Sequence, residues 1–285
     1  MIRKLKSKLG KLWYSGNYPP GHFYNPIPDL KYVKSNEAAI FSESVPQEID
    51  LNEKEQLEFL KSALSSSMFY PFPAAQNLEY RYYSNNTYFN ITDSLSLFLI
   101  LDHYKPKRII EVGSGFSSAC ILDTFEKHLK YMPHLTFIEP YAERLRSLLG
   151  SQDMINCTLI EKIVQQVDKS AFQELDENDI LFIDSSHISK VGSDLNYLLF
   201  EVLPVLKRGV IIHFHDICYP FEYPKEWIYD GIYWNEAYLI RAFLMDNNRY
   251  KILLFNHFLA KQHRGWLDEH LPRFLSGGSL WLQKN

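Results

Sequence analysis

Short apolar runs recur along the second half of the chain, each separated from the next by enough residues for one helix and its turns. They fall at 109–112, 135–138, 157–160, 180–183 and 210–214, and are rich in Ile, Val, Leu and Phe. Runs this short and this uniformly apolar read as strands covered on both faces. Helical spacing of apolar residues occupies 117–129, 142–149, 193–206 and 235–246, and two further strand-like runs at 250–255 and 279–282 close the pattern. This alternation predicts βαβ units and an α/β fold, a doubly wound and mostly parallel sheet. Upstream the pattern changes. Residues 15–50 read as irregular, with an extended arm at 18–28 whose prolines exclude a helix or a central strand. Helical spacing returns at 51–66 through Leu57, Leu60 and Leu64, a Tyr- and Asn-rich connection spans 78–90, and a second helix starts near Thr92, read as its N-cap. The expected division is an arm and helical extension at 1–90 and an α/β domain at 91–285.

Composition narrows the partners. The 285 residues are 46% hydrophobic and 22% charged, as in ordinary globular proteins, and the formal net charge of -4 offers no global field to nucleic acid. The three cysteines, Cys120, Cys157 and Cys218, form no close pair, so they read as reduced thiols in a cytoplasmic protein. No apolar run reaches the ~18–20 residues of a bilayer span. At the start, Ile2, Leu5, Leu9 and Leu12 share one helical face with Lys4, Lys8 and Lys11 around it. That pattern fits either contact with a membrane surface or a solvated terminal helix.

The loop after the first strand carries the first candidate chemistry. An open parallel sheet binds ligands beyond the carboxyl ends of its strands, where the strand order reverses. Here that loop reads Glu111-Val112-Gly113-Ser114-Gly115-Phe116-Ser117-Ser118. Gly113 and Gly115 permit a tight turn and close backbone approach, Ser117 and Ser118 suit a helix cap, and the helix N-terminus offers free N–H groups. The second strand ends in Glu139, 24 residues beyond Gly115, where an acid accepts hydrogen bonds from ribose hydroxyls. The dinucleotide pattern Gly-x-Gly-x-x-Gly is broken by Ser118, and an acid at 111 sits poorly beside a pyrophosphate. It suits a cationic ligand such as a methionine ammonium group, which disfavours a nicotinamide-dependent oxidoreductase.

The runs EVGSGFSSA, FIEPY, LFIDSSH and GVIIHFHDI together resemble the class I S-adenosylmethionine-dependent methyltransferases over about residues 92–285. Within them they are similar to the subfamily with Ile-Asp-x-x-His and His-Asp strand ends, the macrocin-type small-molecule O-methyltransferases. The resemblance implies a Rossmann-like seven-stranded sheet ending in an antiparallel hairpin. It implies that Glu111, Gly113, Ser114, Gly115 and Ser117 surround the methionine part of the cofactor and Glu139 the ribose. Gln165 and Gln166 would then lie near the adenine, with Asp184 close to the cofactor.

The fourth strand ends in Asp184-Ser185-Ser186-His187 and the fifth in His213-Phe214-His215-Asp216, so carboxylates and imidazoles converge on the same crevice. Methyl transfer from a sulfonium is an in-line displacement, and an alcohol acceptor needs a base or a metal to deprotonate it. His187, His215 and Asp216 are the catalytic candidates. Asp184, His215 and Asp216 are the candidate ligands of a divalent ion, Mg²⁺ or Mn²⁺. A metal-free His base and a purely structural cluster stay open beside the metal. His215 stands where related enzymes commonly have an acid, which weakens the case for Mg²⁺. Asp194 reads as a local cap. After Asp216, seven of the eighteen residues at 217–234 are aromatic. This segment reads as a substrate loop for a sugar or ring-containing acceptor, or as an apolar plug, and the arm at 18–28 either joins it over the cleft or docks a subunit. The expected function is O-methylation of a small molecule such as a sugar or ring-containing metabolite. The alternative is a non-catalytic binding or assembly module on the same fold.

Overall fold

The alternation of strands and helices is realised as a seven-stranded sheet of order β3-β2-β1-β4-β5-β7-β6. The computed structural model describes residues 16–42, 46–66, 70–150 and 152–285; the basic stretch at 1–14 and the Leu64 side chain lie outside them. The strands are β1 (Arg108–Val112), β2 (His134–Ile138), β3 (Cys157–Ile160), β4 (Ile180–Ile183), β5 (Ile211–Phe214), β6 (Tyr250–Phe255) and β7 (Leu280–Lys284). The first five run parallel, and β7 pairs antiparallel with both β5 and β6. β4 and β5 are buried at every position, the one polar residue in them, His213, included. Among the described residues, no helix is long and apolar enough to cross a membrane.

Register decides what the strand ends present. Ile160, Ile138, Val112, Ile183 and Phe214 pair in one row across five strands. The next residues in four of those strands are Glu139, Gly113, Asp184 and His215, so all four leave the sheet at the same level. The antiparallel pairs of Phe214 with Leu280 and of Phe255 with Leu280 bring Ser279 and Asn256 to that level as well.

The chain forms two compact units, Pro46–Phe221 with Asn235–Asn285, and Met1–Val45 with Glu222–Trp234. The first contains the sheet. Its helix Glu53–Ser66 matches the spacing through Leu57 and Leu60. The helix Ile91–Tyr104 is capped by Asn90, whose Oδ1 accepts from the N–H of Thr92 and Asp93, so the cap lies two residues before Thr92. Ten of its residues are buried, Thr92, Asp93, Ser94 and Ser96 among them, so most of its circumference is covered by polar and apolar side chains together. Two helices depart from the regular pattern expected for them. Phe116–Asp123 continues as a π turn at Thr124–Leu129, and Asp194–Tyr197 continues as a π turn and a 3-10 turn to Val205. At the end of the latter, the Lys284 ammonium donates to the carbonyls of Leu203, Pro204 and Leu206 at 2.8–3.0 Å. These are carbonyls left over at a helix end, and a cation there also opposes the helix dipole. Between β6 and β7 lie two helices, Asn256–Gln262 and Arg264–His270.

The second unit is built from two distant segments. Residues 15–50 are less irregular than their prolines indicate, since Leu30–Ser35 and Glu37–Ile40 are helical, the former capped by Asp29. Glu37 accepts hydrogen bonds from Tyr229 Oη at 2.5 Å and Lys225 Nζ at 3.3 Å, which ties the arm to the helix Lys225–Tyr229. The arm and the aromatic segment after β5 thus fold with each other.

Candidate active site

The loop after β1 is held by a buried acid. Glu111 is fully buried, and it accepts from Ser117 Oγ at 2.5 Å and from Ser118 Oγ. Burial pushes its carboxyl up to about 8 against those two hydrogen bonds, with Asp184 and Glu139 adding to the rise. The serine hydroxyls therefore serve Glu111, and Ser118 Oγ also accepts from Gly115 N at 3.0 Å. Gly113 has φ +84°, and a Cβ there would lie 1.7 Å from the Asp184 carbonyl oxygen. Only glycine lets the loops after β1 and β4 approach so closely.

Glu139 closes the other side of the loop. Its oxygens accept from Ser114 N at 3.1 Å and Tyr141 N at 2.8 Å, and each oxygen keeps a further lone pair for a ligand. A cavity of about 370 Å³ opens beside it, lined among others by Gly113, Ile138, Glu139, Gln165 and Asp184. That volume lies in the usual range for a small-molecule site. Gln165 Oε1 and Ser185 Oγ, both on residues of the lining, are buried without a hydrogen-bond partner, as expected of groups that serve a ligand. Gln165 donates to Gly192 O at 2.8 Å, which fixes its amide at the cavity wall. Gln166 is exposed and does not line the cavity. Asp194, also in the lining, accepts from Ser186 N and Ser186 Oγ, a local role as expected.

The acids and imidazoles meet at the end of β4 and β5. Asp184 Oδ1 lies 3.4 Å from both His187 Nε2 and His215 Nδ1. Asp216 Oδ2 lies 3.8 Å from His187 Nε2 and 3.5 Å from His215 Nδ1. Donor atoms of Asp184, His187 and Asp216 all fall within 4.8 Å of one another. His187 therefore joins the two acids directly, in addition to the His215 named from the sequence. His213 does not take part. It stacks on Phe182 at 3.7 Å and contacts Ser279 Oγ at 2.9 Å, and burial followed by repulsion from His215 holds it neutral, well below the ordinary histidine value.

Two buried carboxylates behind the imidazoles escaped the sequence reading. Glu236 Oε2 lies 2.7 Å from His187 Nδ1, and Asp93 Oδ2 lies 3.4 Å from His215 Nε2. Asp93 also accepts from Asn256 Nδ2, Gly278 N and Ser279 N. Gly277 and Gly278 leave the room this needs, because a Cβ would meet Asp93 Oδ1 at 2.4 Å and Asp216 backbone at 2.8 Å. Both acids stand in the first turn of a helix, where an acid is ordinary. That position hid them. Burial opposes charge on His187, but hydrogen bonds to Asp184 and Glu236 raise it to about 10. Burial likewise opposes charge on Asp184, yet His215 and His187 hold its carboxyl well below the usual range.

A family model described as a methyltransferase domain matches residues 110–217. An uncharacterized protein of Archaeoglobus fulgidus is 38% identical over 197 residues, covering 63% of this chain and 86% of that protein. Among solved structures, an S-adenosylhomocysteine-bound methyltransferase of Podospora anserina aligns over 93% of this chain and 99% of its own, at 15% identity and a TM-score of 0.43. An O-methyltransferase from Bacillus cereus in complex with S-adenosylhomocysteine aligns over 90% and 97%, at 10% identity and a TM-score of 0.44.

Proposed function

We propose that this chain, which matches a methyltransferase domain over residues 110–217, is a class I S-adenosylmethionine-dependent methyltransferase that methylates a hydroxyl oxygen of a small molecule, a sugar or another ring-containing metabolite. The observation that carries the reading is the shared position of Asp184. It lines the cavity beside Glu139 and it also belongs to the cluster with His187 and Asp216. A cofactor in the cavity and an acceptor at the cluster would meet across this one residue.

When bound, S-adenosylmethionine supplies the methyl group as a sulfonium. Glu139 accepts hydrogen bonds from the ribose, and Gln165 presents its unpartnered oxygen toward the adenine end of the cavity. Gly113, Ser114 and Gly115 bring backbone close to the methionine end, and Ser117 and Glu111 hold that loop in shape. Glu111 is held mostly neutral near pH 7, and a cationic ammonium group close by would favour its charged form, the proton passing to solvent. Asp184, His187 and Asp216 would hold a divalent cation, which lowers the pKa of an acceptor oxygen. The carboxylates that raise His187 to about 10 keep it from acting as a free base at neutral pH, and an ion bound there would have to displace its proton. Its place between Glu236 and the two acids fits a ligand position. The donor set of two carboxylates and an imidazole is chemically suited to the ion.

Calorimetric titration with S-adenosylmethionine and with NAD, each with and without EDTA, tests the reading. S-adenosylmethionine binds and NAD does not, and a dependence of acceptor turnover on the divalent ion follows. An absence of S-adenosylmethionine binding at millimolar concentration, the weak end of ordinary substrate affinities, sinks the proposal. Cofactor binding with no turnover of any hydroxylated acceptor would favour the binding-module alternative.

A further inference from the structure

We infer that the chain docks on a lipid bilayer with anionic headgroups, through the exposed rings at 18–32 and the basic sequence that precedes them. The inference stands apart from the methyl-transfer reading and needs no cofactor. Charge in this stretch is one-sided. Residues 1–14, which enter by their sequence alone, hold five basic residues and no acid. From there to residue 36, Lys31 and Lys34 stand against a single acid, Asp29. The whole chain has a net charge of -4, so a positive block is set on an otherwise acidic protein. Each basic residue brought near an anionic membrane strengthens binding roughly fivefold.

The arm itself supplies an independent observation. Phe23, Tyr24 and Tyr32 are 81%, 65% and 63% exposed. The rings of the turn are gathered rather than scattered. Phe23 lies 4.3 Å and Tyr18 5.0 Å from Tyr24, centroid to centroid, and His22 stacks on Phe23 at 4.3 Å. A contiguous bare aromatic patch marks an interaction surface. Hydrogen bonds within the turn hold it in shape. Gly21 N donates to Ile27 O at 3.0 Å and Asn25 N to His22 O at 2.7 Å, while Asn25 Nδ2 donates to Tyr18 O at 2.6 Å. Gly21, at φ +83°, comes so near Asp29, the cap of the helix Leu30–Ser35, that a Cβ on it would lie 3.4 Å from the Asp29 Cα. The turn therefore lies beside the helix that carries Lys31, Tyr32 and Lys34. Backbone groups paired in this way cost less to bring among headgroups than bare ones do.

The aliphatic positions select the occupant. Ile2, Leu5, Leu9 and Leu12 recur at the spacing of one helical face, with lysines around it and Trp13 and Tyr14 following. A membrane interface takes all three kinds of side chain. Aliphatic groups enter the acyl boundary, rings sit at the headgroups, and lysines meet the phosphates. A nucleic acid would use the lysines and the rings, but it offers the four aliphatic side chains nothing. A second copy of the chain would bring the same positive block to a two-fold contact, where like charges repel.

The test is flotation of the full chain with phosphatidylcholine vesicles and with vesicles that also hold about 30% phosphatidylglycerol, at ~0.1 M salt. The expected result is binding to the anionic vesicles at least about 10-fold tighter than to the neutral ones, weakening steeply as salt rises toward ~0.5 M. Changing Lys4, Lys6, Lys8 and Lys11 together to Gln weakens it by more than about 10-fold. Phe23→Ser combined with Tyr24→Ser weakens it by ~5-fold or more at every salt concentration. Circular dichroism reports the folding of each variant, and the wild-type comparison of the two vesicles decides the matter without them. Equal binding to both vesicles, or unchanged affinity in either folded variant, overturns the inference. So does binding of a single-stranded oligonucleotide, or self-association in sedimentation, in place of vesicle binding. None of these outcomes touches S-adenosylmethionine affinity, so the two proposals fail separately.

Discussion

Replacing Glu111 by Gln exchanges a buried acid for a neutral group of nearly the same shape, and the structure sets the sign of the effect at each pH. The carboxyl rises from an ordinary 4.5 to about 8 in the folded chain, mainly because burial disfavours its charge. A raised folded value means that the folded state holds the proton more tightly than the unfolded chain. The stability this gives is complete below about pH 4.5 and is lost as pH climbs through about 8. At ~1.4 kcal/mol per pH unit, the whole loss is on the order of 5 kcal/mol, of which roughly 3 kcal/mol is gone by pH 7. Gln does not titrate, so the variant escapes this loss. It does sacrifice an acceptor, because one amide oxygen cannot serve the hydroxyls of both Ser117 and Ser118 as two carboxylate oxygens do. That costs about 1–2 kcal/mol at every pH. The stabilities of the two proteins therefore cross near pH 6, by this order-of-magnitude balance. The variant is weaker at pH 5 and stronger by ~2–3 kcal/mol at pH 8. Urea unfolding followed by circular dichroism across that range measures the difference. Two curves that run parallel from pH 5 to pH 8 would refute the account of Glu111.

Other substitutions separate the roles of the remaining residues. Gly113→Ala places a methyl group on the Asp184 carbonyl and is expected to cost more than about 3 kcal/mol; a melting temperature unchanged from wild type would contradict this. Glu139→Ala removes the acceptor that also orders Ser114 and lowers S-adenosylmethionine affinity by roughly 10–100-fold in calorimetry, the cost of charged hydrogen bonds. Asp216→Asn keeps that affinity within a few-fold and abolishes turnover, and normal turnover would rule out its part in the chemistry. Lys284→Met strips three helix-end carbonyls of their donor and destabilises by ~2–3 kcal/mol in chemical unfolding, without touching cofactor affinity.

The strands were the most legible part of the chain. β4, buried at every position, has no polar residue to blur its limits, and β3 and β6, though partly exposed, also begin and end where the apolar runs do. The helices were legible in place but not in kind. The π turns at Thr124–Leu129 and Leu198–Val202 keep the apolar spacing approximately, so periodicity does not distinguish them from an α-helix. The helices between β6 and β7 lie inside the hairpin connection that the resemblance implies, and no separate apolar spacing sets them apart. At the site, Asp184, His187, His215 and Asp216 were visible because strand ends bring them to one level. Asp93 and Glu236 were not, since their importance comes from partners 122 and 49 residues away. Pairings between distant segments leave no mark in local pattern. The joining of the arm to the segment at 222–234 through Glu37 is of the same type.

The buttressing of Asp93 by residues 256, 278 and 279 also sets an order of assembly. As the polypeptide emerges, β1, β2 and β3 with the glycine turn and Glu139 are complete by about residue 160, and they pair mainly with near neighbours in sequence. The reacting centre has to wait for the segment that leads into β7, because Asn256, Gly278 and Ser279 are what hold Asp93. A half-made chain can thus shape its nucleotide loop without yet possessing the means to act. A chain cut before β7 is therefore expected to lack turnover. Topology puts the nucleotide loop ahead of the proposed reacting centre in order of assembly.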